Sequence, residues 1–228
     1  MDKKKRTFYT EAAYLIGLAA IALGTAFMTT ADFGVSMIVA PAYLVHLKLS
    51  QTWSFVTFGV AEYILQFTLL VLLIIVVRRF RWSYLFSFVT ALLYGMMLDV
   101  FLFLFAAVPS EGIVIRLVLY VLGLLVCAAG VSLMFHTYIS PEVYELFVKE
   151  VTSRYGISLS VFKTIYDCLS CVAAIIMSFV FFGFGEFEGV RLGTVVCALV
   201  NGWLIGRFNV FFEEHWIFQD KYRLRTYF

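Results

Sequence analysis

The stretch GLAAIALGTAFMTTADFGVS at residues 17–36 returns later in the chain as GLLVCAAGVSLMFHTYIS at residues 123–140. Both copies open with Gly-Leu, place a second glycine seven positions on and a methionine four positions later, and end on a serine. Self-similarity at this distance indicates a duplicated unit, here an apolar helix that leads into a short loop. The sequence therefore predicts two copies of one membrane helix and the loop that follows it.

The duplication extends beyond these two stretches. An Ala-Leu pair followed by glycine occurs in ALLYGMMLD at residues 91–99 and again in ALVNGWLIG at residues 198–206. Each repeat therefore contains a span, a short helix and two further spans. Because three spans are an odd number, the second repeat enters the membrane in the opposite orientation, and the sequence predicts an inverted repeat.

The composition excludes a soluble globular protein. The chain is 63% hydrophobic and only 14% charged, whereas soluble domains have about a quarter of charged residues. A net charge of +2, with the basic residues at the ends of apolar runs, gives no reason to expect a nucleic-acid partner. The cysteines lie within apolar segments, where they act as small hydrophobic residues rather than as a disulfide framework.

Apolar runs of about twenty residues or more, the length that crosses a bilayer, predict six transmembrane helices, although four of the runs contain one or two charged residues. These runs lie between Glu11 and Asp32, Lys48 and Arg78, Arg81 and Glu111, Arg116 and Glu142, Ile157 and Phe182, and Arg191 and Phe212. The predicted fold is an all-α integral membrane bundle of two inverted three-helix repeats, each with a short helix or re-entrant loop after its first span. One membrane domain fills residues 1–228, with repeats at about 12–108 and 114–212 and tails at 1–11 and 213–228.

Helix signals also mark the two short helices. Ser140 is predicted to be the N-cap of the second short helix, with Pro141 at its first position and Glu142 in its first turn. In the first copy, Pro41 would fall in the second turn of a helix begun at Ser36, so that helix should start late or kink.

Basic residues set the predicted orientation. Lys and Arg concentrate at the N-terminus, between spans two and three, between spans four and five, and in the C-terminal tail. Since cytoplasmic segments are rich in Lys and Arg, both termini are predicted to be cytoplasmic.

Several short motifs carry a family resemblance. They are Gly34-Val35-Ser36, Ser140-Pro141-Glu142, Gly156-Ile157-Ser158, and Leu192-Gly193-Thr194 running to Gly202. The chain resembles the bacterial YczE-like and YitT-like integral membrane proteins over nearly its whole length. It departs from their pattern in having Met37-Ile38 where a proline and an acid are expected, and Glu142 in place of aspartate. The resemblance implies a bacterial plasma-membrane protein and supports the architecture, but it implies no chemistry.

Ionisable residues within the spans are the main candidates for a substrate site, because a buried charge costs about 2.5–3.5 kcal/mol even on insertion scales. Lys163 and Asp167 are one helical turn apart and can pair, either in a transport pathway or merely to neutralise one another. The full candidate set is Glu62, Lys163, Asp167, Asp99, Ser36 and Ser140.

Glycines in matching positions are predicted to let helices approach closely. The packing set is Gly17, Gly24, Gly95, Gly123, Gly130 and Gly202. In inverted repeats, glycine-interrupted helices also mark a binding site at the repeat interface.

The preferred function at this point is a transporter or permease for a small solute. The alternatives are a substrate-binding membrane subunit of a larger importer, and an accessory protein that transports nothing. No catalytic constellation, metal-ligand spacing or cofactor motif is present, so the sequence predicts no enzyme, metal or cofactor. The expected partners are the lipid bilayer and an unidentified small solute, with a homo-oligomer or a partner membrane protein left open.

Overall fold

Eight α-helices, one 3-10 helix and a two-stranded sheet make up the described part of the chain. The computed structural model describes residues 6–34, 36–53, 55, 56, 58–105, 112–183, 190–222 and 225. The elements are β1 (Arg6–Tyr9), α1 (Thr10–Ala31), α2 (Ala40–Leu49), α3 (Phe58–Val77), the 3-10 helix (Trp82–Leu85), α4 (Phe86–Phe105), α5 (Ile113–Phe135), α6 (Val143–Tyr155), α7 (Leu159–Phe182), α8 (Leu192–His215) and β2 (Trp216–Gln219).

Six of the described helical segments are long and apolar enough to cross a membrane. They are α1, α3, the 3-10 helix continued by α4, α5, α7 and α8. The six predicted spans are confirmed, and the chain is a multi-pass membrane protein. Large apolar side chains such as Phe103 and Leu192 are 81% and 85% exposed, as expected of a surface that faces lipid.

The centre of the bundle is the contact between α1 and α5. A methyl group placed on Gly24 would lie 2.6 Å from the Gly123 carbonyl oxygen, and one on Gly130 would lie 2.7 Å from the Gly17 carbonyl oxygen. A methyl group would overlap backbone atoms of the other helix at Gly24, Gly123 and Gly130 and would be tightly packed at Gly17, so the two backbones are in direct contact. The pairing of Gly17 with Gly130 and of Gly24 with Gly123 shows that the helices run antiparallel.

The remaining spans pack around this pair, and two of them leave a gap. The last spans α4 and α8 lie against α1 and α5 respectively, and α7 packs closely on α8. Gly202 and Gly206 make that contact possible, since a methyl group on Gly206 would lie 2.7 Å from the Ser160 Cβ atom. Between α3 and α4 the described residues instead line a cleft of about 410 Å³.

Gly95 lies in this cleft, although the sequence predicted that it packs against another helix. No described atom comes within 4 Å of a methyl group built on it, so within the described part of the chain Gly95 contacts no other helix. The sequence motif around Gly95 matches the one around Gly202, but the helix opposite Gly95 lies farther away.

The short helices start at different points relative to their serines. As predicted, α2 begins late, at Ala40, with Pro41 in its first turn. The predicted N-cap at Ser140 is wrong, because α6 begins at Val143 and Glu142 precedes its first residue. The Ser140 hydroxyl instead donates a hydrogen bond to the Ser83 carbonyl oxygen at 2.8 Å, which holds the loop against the start of α4.

The first described strand pairs with the last. Strands β1 and β2 pair in parallel from Arg6 with Trp216 to Tyr9 with Gln219. Next to them, the Glu11 carboxylate accepts hydrogen bonds from the backbone N–H groups of Lys221 and Tyr222. The predicted C-terminal tail from residue 213 is therefore structured at its start, because α8 continues to His215 and β2 follows it.

Candidate functional site

Lys163 is fully buried between two carboxylates. Its ammonium nitrogen lies 3.0 Å from Asp167 Oδ1 and 3.5 Å from Glu145 Oε1. The side chains of Lys163 and Asp167 are both 0% exposed, and that of Glu145 is 9% exposed. The predicted pairing of Lys163 with Asp167 is confirmed. Glu145, which the sequence did not single out, reaches the same lysine from α6.

Asn201 completes this cluster from α8. Its side-chain amide donates a hydrogen bond to Asp167 Oδ2 at 3.2 Å. Three helices, α6, α7 and α8, thus share one buried polar network. A buried network of this kind requires each charge to keep its partner, because an unpaired charge in the interior is strongly destabilising.

A small cavity of about 50 Å³ adjoins the network. Glu145 and Asn201 contribute to its wall and connect it to Lys163 and Asp167. Two further groups come from the N-terminal ends of the short helices: residues 36–39 immediately before α2, and Glu142 and Tyr144 at the start of α6. Ile21, Thr25, Met28, Tyr94, Cys127, Val131 and Cys197 complete the wall.

Three buried polar atoms at this cavity lack a hydrogen-bond partner among the described residues. They are Glu142 Oε1, the Tyr144 hydroxyl and Asn201 Oδ1. Leaving a buried polar atom unsatisfied costs about 1–3 kcal/mol. Because all three line one cavity, a bound ligand or ordered water can satisfy them together. All three accept hydrogen bonds or coordinate cations through oxygen.

Glu142 faces other acids and phenols rather than a cation. Burial, with the carboxylates of Glu145 and Glu62, holds the pKa of Glu142 well above its usual range. The phenols of Tyr14, Tyr94 and Tyr144 also interact with it electrostatically. These surroundings therefore favour the protonated form of Glu142.

Glu62 does not meet Lys163 and Asp167. It lies in the cleft between α3 and α4, together with the exposed Asp99, and accepts a hydrogen bond of 3.5 Å from the Gln66 amide. Tyr94 lines both this cleft and the central cavity, so its ring stands between them. The Tyr94 hydroxyl is held by a 3.1 Å hydrogen bond to Thr25 Oγ1.

The two predicted serines have different surroundings. Ser36 lines the central cavity. Ser140 is not part of that wall, because its hydroxyl is bound to the Ser83 carbonyl and its own carbonyl oxygen accepts a bond from Thr90. Ser140 therefore holds the loop before α6 in place.

A second charged cluster closes the opposite end of the bundle from the paired strands. Asp32 Oδ2 lies 3.1 Å from Arg116, and Asp32 Oδ1 lies 2.6 Å from Arg191. These ion pairs join the end of α1 to the starts of α5 and α8. From the sequence, these three residues were predicted only to mark the ends of spans, because nothing in their spacing indicates that they meet.

Comparison with known protein families matches residues 8–210 to DUF6198, a family of unknown function. The chain belongs to this family. The DUF6198 match contains the whole central cluster, the cavity wall and the Asp32 ion pairs, and it ends before β2. Comparisons with curated proteins and with solved structures found no match. The family match does not name the YczE-like or YitT-like proteins, so that resemblance stays a prediction.

Proposed function

We propose that this protein transports a small monovalent cation across the bacterial plasma membrane, and that Glu142 exchanges a proton for the cation. The observation that carries the proposal is the central cavity, where the oxygens of Glu142, Tyr144 and Asn201 lack hydrogen-bond partners among the described residues. Glu142 is the proton-binding group because it is acidic, buried and directly in the cavity wall.

The charge around the cavity supports a cation as the solute. Glu142, Glu145 and Asp167 oppose the single ammonium of Lys163, which gives a formal charge of −2 when all are ionised. The N-terminal ends of α2 and α6 each contribute about +0.5 charge. About one negative charge remains, and one proton or one monovalent cation neutralises it.

The position of the cavity supports the inverted repeat. Residues at equivalent places in the two repeats line it in pairs, which are Ile21 with Cys127, Thr25 with Val131, and Tyr94 with Asn201. The reciprocal contacts of Gly17 with Gly130 and of Gly24 with Gly123 fit the same relation. In transporters built from inverted repeats, the solute site lies at the repeat interface, near the pseudo-two-fold axis.

The proposal predicts cation-dependent stability. In detergent, NaCl, KCl or NH₄Cl should raise the thermal midpoint of the purified protein relative to N-methylglucamine chloride at equal ionic strength. A cation at one hundred times its Kd adds about 2.7 kcal/mol of stability. Glu142→Gln should abolish the increase, because the amide carries no charge to bind the cation. Glu214→Gln, which removes an exposed carboxylate at the end of α8, should retain it.

The same measurement tests the proton exchange. Because the pKa of Glu142 is raised, protons compete with the cation below that pKa, and each unit of lower pH should weaken the apparent affinity about tenfold. The midpoint shift should therefore grow as the pH rises. If none of the three cations shifts the midpoint, or if Glu142→Gln responds like the parent, the cation site is refuted and an accessory role becomes the better proposal.

The proposed orientation places both termini in the cytoplasm and the Asp32 cluster outside. Gln51 and Ser153 are exposed and lie near opposite membrane surfaces, after α2 and near the end of α6. In a variant without the four native cysteines, an impermeant thiol reagent applied to intact cells should label Gln51→Cys and spare Ser153→Cys. The opposite labelling pattern would reverse the orientation, and equal labelling of both would indicate dual insertion.

A further inference from the structure

We propose that a pocket between the end of α3 and the end of α6 binds the phosphoryl group of an anionic ligand. The pocket has a volume of about 430 Å³, within the usual range of ligand sites. Four arginines line it, together with one carboxylate, that of Glu150. The arginines are Arg78, Arg79, Arg81 and Arg154.

Apolar packing brings these arginines together from two parts of the chain. Leu73 and Val77 of α3 form one buried cluster with Val143 and Leu146 of α6. Near the ends of the two helices, the Tyr155 hydroxyl donates a hydrogen bond of 2.7 Å to the Val76 carbonyl oxygen. The helices therefore end side by side, and the turn after α3 faces the last turn of α6 across the pocket.

The one acid in the pocket is already engaged. Glu150 Oε2 accepts a hydrogen bond of 2.9 Å from the Tyr84 hydroxyl. Among the described residues, no carboxylate oxygen lies within 4.0 Å of the guanidinium groups of Arg78, Arg79 or Arg154. These three groups are exposed in the pocket and can each donate hydrogen bonds to an anion.

The positive charge of the pocket lining is larger than the partial negative charge of the two helix ends beside it. Four positive charges and one negative charge give a formal +3 in the lining. The C-terminal ends of α3 and α6 contribute about −0.5 each. About two positive charges remain, enough to neutralise the single negative charge of a lipid phosphodiester or the −1.5 to −2 charge of a phosphate monoester near neutral pH. Guanidinium groups also bind phosphate oxygens in a bidentate manner, which favours an anion of this kind over a neutral ligand.

The backbone at Arg78 has a conformation that glycine and asparagine adopt more readily. Its φ angle is 55°, in the left-handed region, directly after the last residue of α3. Glycine is the usual residue at such a helix end. The presence of arginine there places a guanidinium in the pocket at a cost to local backbone stability, as is common at functional sites.

The pocket lies at the level of the lipid headgroups. It borders the turn between two membrane spans, and the exposed rings of Phe80 and Trp82 lie in that turn. Aromatic rings of this kind favour the membrane interface. The position favours the phosphate of an anionic lipid, while inorganic phosphate and phosphorylated metabolites share the same chemistry.

The test compares two sets of three charge removals on the same side of the bundle. The protein is purified in mixed micelles of detergent and phosphatidylcholine, to which phosphatidylglycerol is added. Native mass spectrometry then counts the phosphatidylglycerol molecules that the protein retains. We expect lipid retention to fall at least tenfold in a pocket variant that combines Arg78→Gln, Arg79→Gln and Arg154→Gln. The matched variant, Arg207→Gln with Lys221→Gln and Arg225→Gln, removes as many charges outside the pocket and should retain the lipid. Equal loss in both variants, or no retention by the parent of either lipid or free phosphate, would overturn the proposal.

A second arm identifies the source of the phosphoryl group. Inorganic phosphate and pyrophosphate are titrated against protein in phosphatidylcholine alone, with the thermal midpoint as readout. A shift in the parent that the pocket variant loses, without lipid retention, assigns the site to a soluble phosphate compound.

Arg78→Gly separates binding from folding in both arms. Glycine fits the left-handed backbone, so this variant should have a higher midpoint without ligand and a weaker response to phosphate or phosphatidylglycerol. An undiminished response would contradict a role for Arg78 in binding.

Discussion

Gly24→Leu is expected to prevent the protein from folding. At Gly24, even a methyl group would lie 2.6 Å from two backbone atoms of α5, Gly123 O and Cys127 N. A leucine side chain must therefore push α1 away from α5 and break the contact at the centre of the bundle. The cost should exceed about 3 kcal/mol, the upper end of ordinary overpacking. Size-exclusion chromatography of the detergent-solubilised protein should show aggregate in place of a single symmetrical peak.

Gly95→Leu is the matched control for this change. It adds the same side chain to a membrane-span glycine, but into the cleft between α3 and α4, where no described atom lies within 4 Å. This variant should elute like the parent and keep its thermal midpoint within a few degrees. A folded Gly24→Leu protein would show that α1 and α5 do not touch as described, and an unfolded Gly95→Leu protein would show that the cleft is closed.

Lys163→Met is expected to destabilise the protein by about 3–5 kcal/mol, the usual cost of breaking a buried ion pair from one side. The change leaves Asp167 and Glu145 buried without the ammonium that they share. The free energy of unfolding, measured by titration with a denaturing detergent in mixed micelles, should fall by this amount. Arg207→Met, which removes an exposed cation from α8, should change it by less than about 0.5 kcal/mol.

Neutralising the stranded acids should restore part of the lost stability. Lys163→Met combined with Asp167→Asn should recover more than half of the loss, because it removes the charge of the fully buried Asp167, while Glu145 is 9% exposed and lines the cavity. Were Lys163→Met as stable as the parent, the lysine would not be the counter-ion of these carboxylates.

Local patterns were sufficient to predict the spans and one pair of the site. Lys163 and Asp167 are neighbours on one helix, so their spacing alone places them in contact. Glu145 and Asn201 reach the same cluster from other helices, and only the packing of α6 and α8 against α7 brings them there. The one available signal was that Asn201 occupies the position of Tyr94 in the repeated Ala-Leu motif, which indicates a matching place in the fold.

The sequence repeat predicted helix packing and the surroundings of Glu62 less well. Gly95 and Gly202 follow the same motif, yet Gly202 lies against Thr164 and Gly95 borders an open cleft. The sequence shows that the segments are related but does not determine how far apart their neighbours lie. Glu62 likewise faces the α3–α4 cleft, although the sequence predicted it to belong to the same candidate set as Asp167.

The pairing of β1 with β2 makes the two ends of the bundle unequal in how easily they open. Strand β1 precedes α1, the first helix of the first repeat, and β2 follows α8, the last helix of the second repeat, so backbone hydrogen bonds tie these two helices together at this end. At the opposite end, α1 and α8 are joined by the ion pair of Asp32 with Arg191, whose side chains are 63% and 57% exposed. Among the described residues, a single backbone hydrogen bond of 3.1 Å, from Gly193 N–H to the Phe33 carbonyl oxygen, also joins them there. Exposed ion pairs contribute only about 0–1 kcal/mol each. In the transport cycle that we propose, a rocking motion that separates the repeats would therefore pivot at the strands and open first at Asp32.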